Sequence, residues 1–391
     1  MFNFNEVHER KNTNCYKWDN NEVVYNIEDA SDLLPMWIAD MDIATPNFVI
    51  EAMKQRLEHP VFGYAKVPES LYTAIIDWYK TRHHWTIEKD NLLFHDGVIP
   101  AIAAIIETFT EVGDRVAISS PVYVPFTSIP TNLKREVVRV PLEEKNEEWF
   151  YNFEALEAAF RDGVNVYILC NPHNPGGYVW NKDTLVRILQ LAKQYDILVI
   201  SDEIHCDLVL PPYEHVALQT LNEEIGANII TCLSPTKTFN LASVQFAMMV
   251  PSTKDLTAKL QRHALVHGRF APNIFGMVAT EAAFAQGADW VDGLLEHLAN
   301  NIDYVIEACR ELKGIRITKP QGTYLLWIDY RESGLSEKEM FDRLLHVGKL
   351  GLDPGKKFGV EGEGFMRMNI AVPRATVEEA IRRLHVALQG K

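Results

Sequence analysis

From about residue 90 to residue 250 the chain alternates short β-branched runs with longer amphipathic runs. That rhythm predicts βαβ units, with a mostly parallel sheet covered by helices on both faces. The predicted strands are 115–119, 137–140, 164–170, 198–201, 229–233 and 246–250. Between two of them, residues 181–195 place Leu185, Ile188, Leu189 and Ala192 at helical spacing on one apolar stripe. Crossovers of that length suit parallel neighbours. After about residue 290 the pattern changes. A long helical stretch to Leu312 precedes strands at 315–318, 324–328 and 365–371, with another helix before the last. This predicts an α/β protein with a large domain over 46–289 and a smaller α+β domain over 290–391. Residues 1–45 lack strong periodicity and are rich in Asn, and are expected to form an arm that packs on the small domain or on a partner subunit.

With 391 residues, 47% of them hydrophobic, the chain has material for a large core and more than one domain. A net charge of -15, without a basic run of useful length, argues against nucleic acid or an anionic membrane surface as a partner. The five cysteines (Cys15, Cys170, Cys206, Cys232, Cys309) are scattered, with no CxxC pair and no metal-ligand spacing, so reduced core thiols and no metal are expected. Residues 1–10 carry no apolar signal core and no later run approaches a membrane span, so a cytoplasmic protein is expected.

In open α/β sheets ligands bind beyond the carboxyl ends of the strands. Four polar or glycine-bearing segments fall at such positions. Asp96-Gly97-Val98-Ile99-Pro100 precedes an apolar helix over 101–109, so its free amides and the helix dipole suit a phosphate, although a Gly there also makes a plain turn. Residues 171–177, Asn-Pro-His-Asn-Pro-Gly-Gly, form a rigid loop that projects Asn174, either to hydrogen-bond a phenolic oxygen or as an Asx turn. Asp202, in Asp202-Glu203-Ile204-His205, suits a protonated pyridine nitrogen or a helix N-cap. Ser234 and Lys237, in Ser234-Pro235-Thr236-Lys237, offer a hydroxyl for a phosphate and an amine for an aldehyde, or else a solvated lysine. Together they supply the different groups that one cofactor requires.

The motif set resembles the fold-type I pyridoxal-phosphate enzymes of the class I/II aminotransferase superfamily, and within it the cystathionine β-lyase and cysteine-sulfur lyase group. The resemblance spans nearly the whole chain. It rests on the segments above and on residues 35–42 (PMWIADMD), Phe62-Gly63-Tyr64, Ser120-Pro121-Val122-Tyr123 and Phe365-Met366-Arg367-Met368-Asn369. The PMWIADMD segment is what points to the lyases over ordinary aminotransferases.

The resemblance implies a seven-stranded, aspartate aminotransferase-like sheet and pyridoxal 5'-phosphate as cofactor. Lys237 would be the Schiff-base lysine, Asp202 the partner of the ring nitrogen, Asn174 a donor to the ring hydroxyl oxygen, and Tyr123 the stacking ring. Phosphate contacts would come from the backbone of Val98 and Ile99, from Ser234, and from Tyr64 of the other subunit of a homodimer. Arg367, whose strand turns it away from Met366 and Met368, would clamp the substrate carboxylate; surface salt bridging is its alternative. Trp37 and Asp40 would shape the substrate pocket. Gln245 stands where an arginine is usual, and His205 where a tyrosine is usual. His205 is taken as a cofactor neighbour, either orienting or merely packing. The implied activity is β-elimination from a sulfur amino acid: cystathionine to homocysteine, pyruvate and ammonia, or cysteine to sulfide. An aminotransferase, or a regulatory protein that keeps the fold, are the alternatives.

Overall fold

The computed structural model describes residues 2–145 and 147–389. Its central sheet contains β1 (Leu93–His95), β2 (Arg115–Ser120), β3 (Glu136–Pro141), β4 (Val166–Cys170), β5 (Leu198–Asp202), β6 (Ile229–Leu233) and β7 (Ala247–Pro251). The order across the sheet is β1-β7-β6-β5-β4-β2-β3. Every residue of β4, β5, β6 and β7 is buried, as strands covered by helices on both faces require, and the few polar ones among them are Ser201, Asp202 and Thr231. From β6 across to β3 all neighbours run parallel.

The strand β7 runs antiparallel to β6 and to β1. Residues 234–246 between β6 and β7 contain no crossover helix, so the chain can only turn back, and this return segment carries Lys237. The edge strand β1 was not among the expected strands; three residues at a sheet edge give too short a pattern to read.

Helix ends follow local chemistry. The helix Lys182–Gln194 begins at Asn181, whose side chain accepts from the Thr184 amide at 2.9 Å, and it buries Leu185, Ile188, Leu189 and Ala192 as the stripe predicts. The helix after Gly97 starts at Val98, three residues earlier than expected. Pro100 does not delay it, because a first-turn proline gives up an amide that would be unpaired there anyway.

A second, antiparallel sheet follows: β8 (Arg316–Ile317), β9 (Leu325–Asp329), β10 (Asp353–Pro354) and β11 (Phe365–Asn369), in the order β8-β9-β11-β10. The helices Ala288–Cys309 and Arg374–Gln389 share one buried cluster with it. The N-terminal segment lies against this part of the chain. Leu34–Pro35 pairs in parallel with Leu350–Gly351, and Phe4 meets Trp290 edge-on at 5.6 Å. The cysteines are all unpaired; four are buried, but Cys15 is half-buried beside the first short helix and is no core thiol.

Candidate active site

A cavity of about 240 Å³ opens beyond the carboxyl ends of β4 and β5. One wall is the first turn of the Val98–Phe109 helix, with Gly97, Val98 and Ile99. The amides of that turn have no partner within the helix and sit at its positive end, which makes the wall a receptor for an anion. Asn174, Asp202, His205 and Tyr123 line the rest, with Lys237 at the start of the return segment.

The loop carrying Asn174 is braced from behind. Gly177 has φ of +70°, and a Cβ there would lie 2.7 Å from the Pro320 side chain. Only glycine lets the loop close against residues 320–322, where the Gly177 carbonyl accepts from the amides of Gln321 and Gly322.

Burial sets the protonation of the site. It pushes the Asp202 carboxyl up to about 7, although the Ile204 amide donates to its Oδ1 at 3.1 Å. Burial likewise lowers the Lys237 ammonium to about 8, with Asp40 and Asp202 pulling the other way. The Lys237 Nζ donates to the Ala39 carbonyl at 2.5 Å, and the Tyr324 hydroxyl donates to the same carbonyl at 3.0 Å. His205, driven down to about 3 by burial, is neutral, and its buried Nδ1 has no partner among the described residues. The donor set suits a phosphorylated heteroaromatic aldehyde. It offers amides for the phosphate, a carboxylate for a ring nitrogen, an amine for the carbonyl carbon and an orphaned imidazole nitrogen beside them.

Arg367 is buried and forms no surface salt bridge. Its Nη1 donates to Asn174 Oδ1 at 2.8 Å, and its Nη2 donates to the Trp37 carbonyl at 2.9 Å and to Asp353 Oδ2 at 2.6 Å. Lys357 holds the other oxygen of Asp353 at 2.8 Å. The Arg367 Nε is buried and has no hydrogen-bond partner among the described residues. The Asn174 oxygen is thus engaged by Arg367, and its amide group is left for the cavity.

The segment around Trp37 and Asp40 serves the site through its backbone. The Asn369 side chain donates to the carbonyls of Ile38 and Asp40, and Asn240, three residues after Lys237, donates to those of Met41 and Ile43. These bonds present the Trp37 carbonyl to Arg367 and the Ala39 carbonyl to Lys237. The two side chains point elsewhere, against expectation. The Trp37 indole donates to Asn21 at 3.2 Å, and the Asp40 carboxylate meets Arg10 at 2.8 Å. Buried Lys17 pairs with Asp42 at 2.9 Å, so the N-terminal arm neutralises the acidic end of this segment.

Two further expected groups stand off the cavity. The Ser234 hydroxyl donates to the Phe246 carbonyl at 2.7 Å, and the hydroxyl residue lining the cavity is Thr236, 2.7 Å from Ser234 Oγ. Tyr64 is fully exposed. Sequence reasoning also missed a buried network behind Lys237. Asp207 accepts from Trp78 Nε1 at 3.0 Å and from Thr238 at 2.8 Å, and lies 2.7 Å from His83 Nε2. Burial alone would raise the Asp207 carboxyl, but the bonds from His83 and Thr238 hold it below the usual carboxylate range. The available signal was the position of Thr238 next to Lys237, and of Asp207 five residues after Asp202.

Comparison with known proteins gives a consistent answer. The family model described as aminotransferase class I and II matches residues 32–384. The chain is 36% identical over 389 residues to the cystathionine beta-lyase PatB of Bacillus subtilis (strain 168), covering 99% of this chain and 100% of the relative. It is 32% identical to the protein MalY of Escherichia coli (strain K12) over the full length of both. Among solved structures, cystalysin from Treponema denticola, which contains pyridoxal 5'-phosphate, superposes with a TM-score of 0.95 at 31% identity, over 100% of this chain and 99% of that one.

Proposed function

The chain belongs to the class I and II aminotransferase family, and we propose that within it this enzyme cleaves the bond between Cβ and sulfur in L-cystathionine. It is a pyridoxal-phosphate-dependent carbon–sulfur lyase. The observation that carries the reading is the cavity that places Lys237, Asp202 and the anion-binding helix turn around one space, with Arg367 anchored at its border.

Bound there, the cofactor supplies an aldehyde for the amine and a protonated ring that stores the electron pair left on Cα. Asp202 keeps the proton on the ring nitrogen, a role that its burial opposite a cation strengthens. The Asn174 amide would donate to the ring hydroxyl oxygen, Tyr123 would pack on the ring face, and neutral His205 would fill the side toward Tyr324. Val98, Ile99 and Thr236 would hold the phosphate. Lys237 Nζ takes the Cα proton as general base, and its lowered pKa leaves a sizeable neutral fraction near pH 8. Arg367, stiffened by Asp353 and the Trp37 carbonyl, binds the substrate carboxylate. The balanced reaction turns the β-thio amino acid and water into thiol, pyruvate and ammonium.

We further propose a homodimer with shared sites. Exposed Leu57, Val61 and Phe62 lie on the segment that carries Tyr64, and Leu265, Val266 and Phe270 form a second exposed apolar run. Lys237 is the one cationic side chain lining the cavity among the described residues, so a partner's Tyr64 hydroxyl would complete the phosphate site. In this reading residues 46–289 carry the cofactor, residues 290–391 close over it and residues 1–45 brace the closure. A cytoplasmic location is supported by five unpaired cysteines.

The test is pyruvate and homocysteine release from L-cystathionine by the purified holoenzyme, with and without an added keto acid. Equal release of both products without keto acid is expected. Pyruvate absent, with the cofactor accumulating in its amine form, would overturn the lyase reading in favour of an aminotransferase.

A further inference from the structure

On the outer face of the Val98–Phe109 helix, Glu107 faces His263 and His267 of the neighbouring segment. His263 lies in the helix Lys254–Val266 and His267 caps its C-terminus, so the two are one turn apart. Their rings stack with centroids 4.0 Å apart and planes tilted by 27°. One ligand atom from each of the three residues lies within 4.8 Å of the others.

We propose that Glu107, His263 and His267 form a binding site for a divalent transition cation, best suited to zinc. His263 Nε2 is buried without a hydrogen-bond partner among the described residues and lies 3.5 Å from Glu107 Oε2. That separation is long for a hydrogen bond. It matches the roughly 3.4 Å that separates two ligands held about 2.1 Å from a tetrahedral ion. His267 Nδ1 is already 2.9 Å from the His263 carbonyl of its own helix, so this nitrogen carries the proton and the other keeps its lone pair for a metal. Two imidazoles and a carboxylate make a three-ligand set with the fourth position open to water. Such an ion would tie the C-terminal half of the helix whose first turn faces the cofactor cavity to the helix beside it.

This site is independent of the reaction, so its test reads binding directly. Holoenzyme freed of metal with a chelator is titrated with zinc chloride by calorimetry. One ion per chain is expected, with a Kd on the order of micromolar. Glu107→Gln and His267→Ala are each expected to weaken binding at least tenfold, and Glu107→Gln, at an exposed position, to leave the metal-free thermal midpoint unchanged. Cobalt provides the spectroscopic control. Visible bands without thiolate charge transfer support the site. Intense charge transfer would place the ion at the buried His83, Cys206 and Asp207 cluster instead and overturn the proposal, as would variants that bind zinc as tightly as the parent.

Discussion

Replacing Lys237 with methionine should stabilise the cofactor-free protein at neutral pH while abolishing turnover. The lysine pKa falls from 10.5 in the unfolded chain to about 8 in the fold, chiefly by burial. Keeping the charge in place therefore costs about 3 kcal/mol. Lys237 is half-buried beside the cavity, and water there screens part of this cost. The lost bond to Ala39 subtracts about 1 kcal/mol more. That carbonyl is not orphaned, because the Tyr324 hydroxyl still donates to it. A gain of about 1 to 2 kcal/mol is expected at pH 7. The sign follows from linkage: below about 8 both states hold the proton and the penalty is complete, and between 8 and 10.5 the folded state sheds it first, so wild-type stability rises with pH. The gap between variant and wild type should close by pH 10.5. Equilibrium urea unfolding of the two cofactor-free proteins across that range measures it. A variant less stable than wild type at pH 7, or a gap that does not change with pH, would refute the reasoning.

Asp207→Ala strips the acceptor from Trp78, Thr238 and His83 at once, and should cost at least about 3 kcal/mol in urea unfolding, since each buried donor left unpaired costs about 1 to 3 kcal/mol. Arg367→Lys keeps the charge but not the fork that reaches Asn174, Trp37 and Asp353 together; kcat/KM for L-cystathionine should fall about 10- to 100-fold in steady-state assays, with unchanged cofactor absorbance. Tyr64→Ala and Lys237→Ala homodimers should each be inactive, yet co-refolding equal amounts should restore about a quarter of wild-type activity, because half the dimers then hold one intact site. No recovery would remove Tyr64 from the shared site.

The layered α/β fold is legible in the hydrophobic pattern of the chain. Strand 229–233 is apolar but for Thr231 and strand 198–201 but for Ser201, and the stripe from Leu185 to Ala192 has one burial solution, so local pattern and tertiary burial agree. The sequence also placed Asp202, Asn174 and Lys237 at strand ends, and the parallel order of β4, β5 and β6 then carries them to one cavity. Local pattern could not reveal which way a side chain faces once distant segments meet. Trp37 and Asp40 read as pocket residues, but the arm residues Asn21 and Arg10 capture their side chains and leave only backbone carbonyls to the site. Ser234 read as a phosphate ligand, but the antiparallel return of β7 brings the Phe246 carbonyl onto it and turns Thr236 toward the cavity. Asp353 and His83 had no readable signal, because Arg367 and Asp207 meet them only after the chain has folded across long sequence distances. Hydrophobic periodicity is local and survives in the sequence; a buried polar group is satisfied by whatever partner the fold delivers, and that is decided in three dimensions.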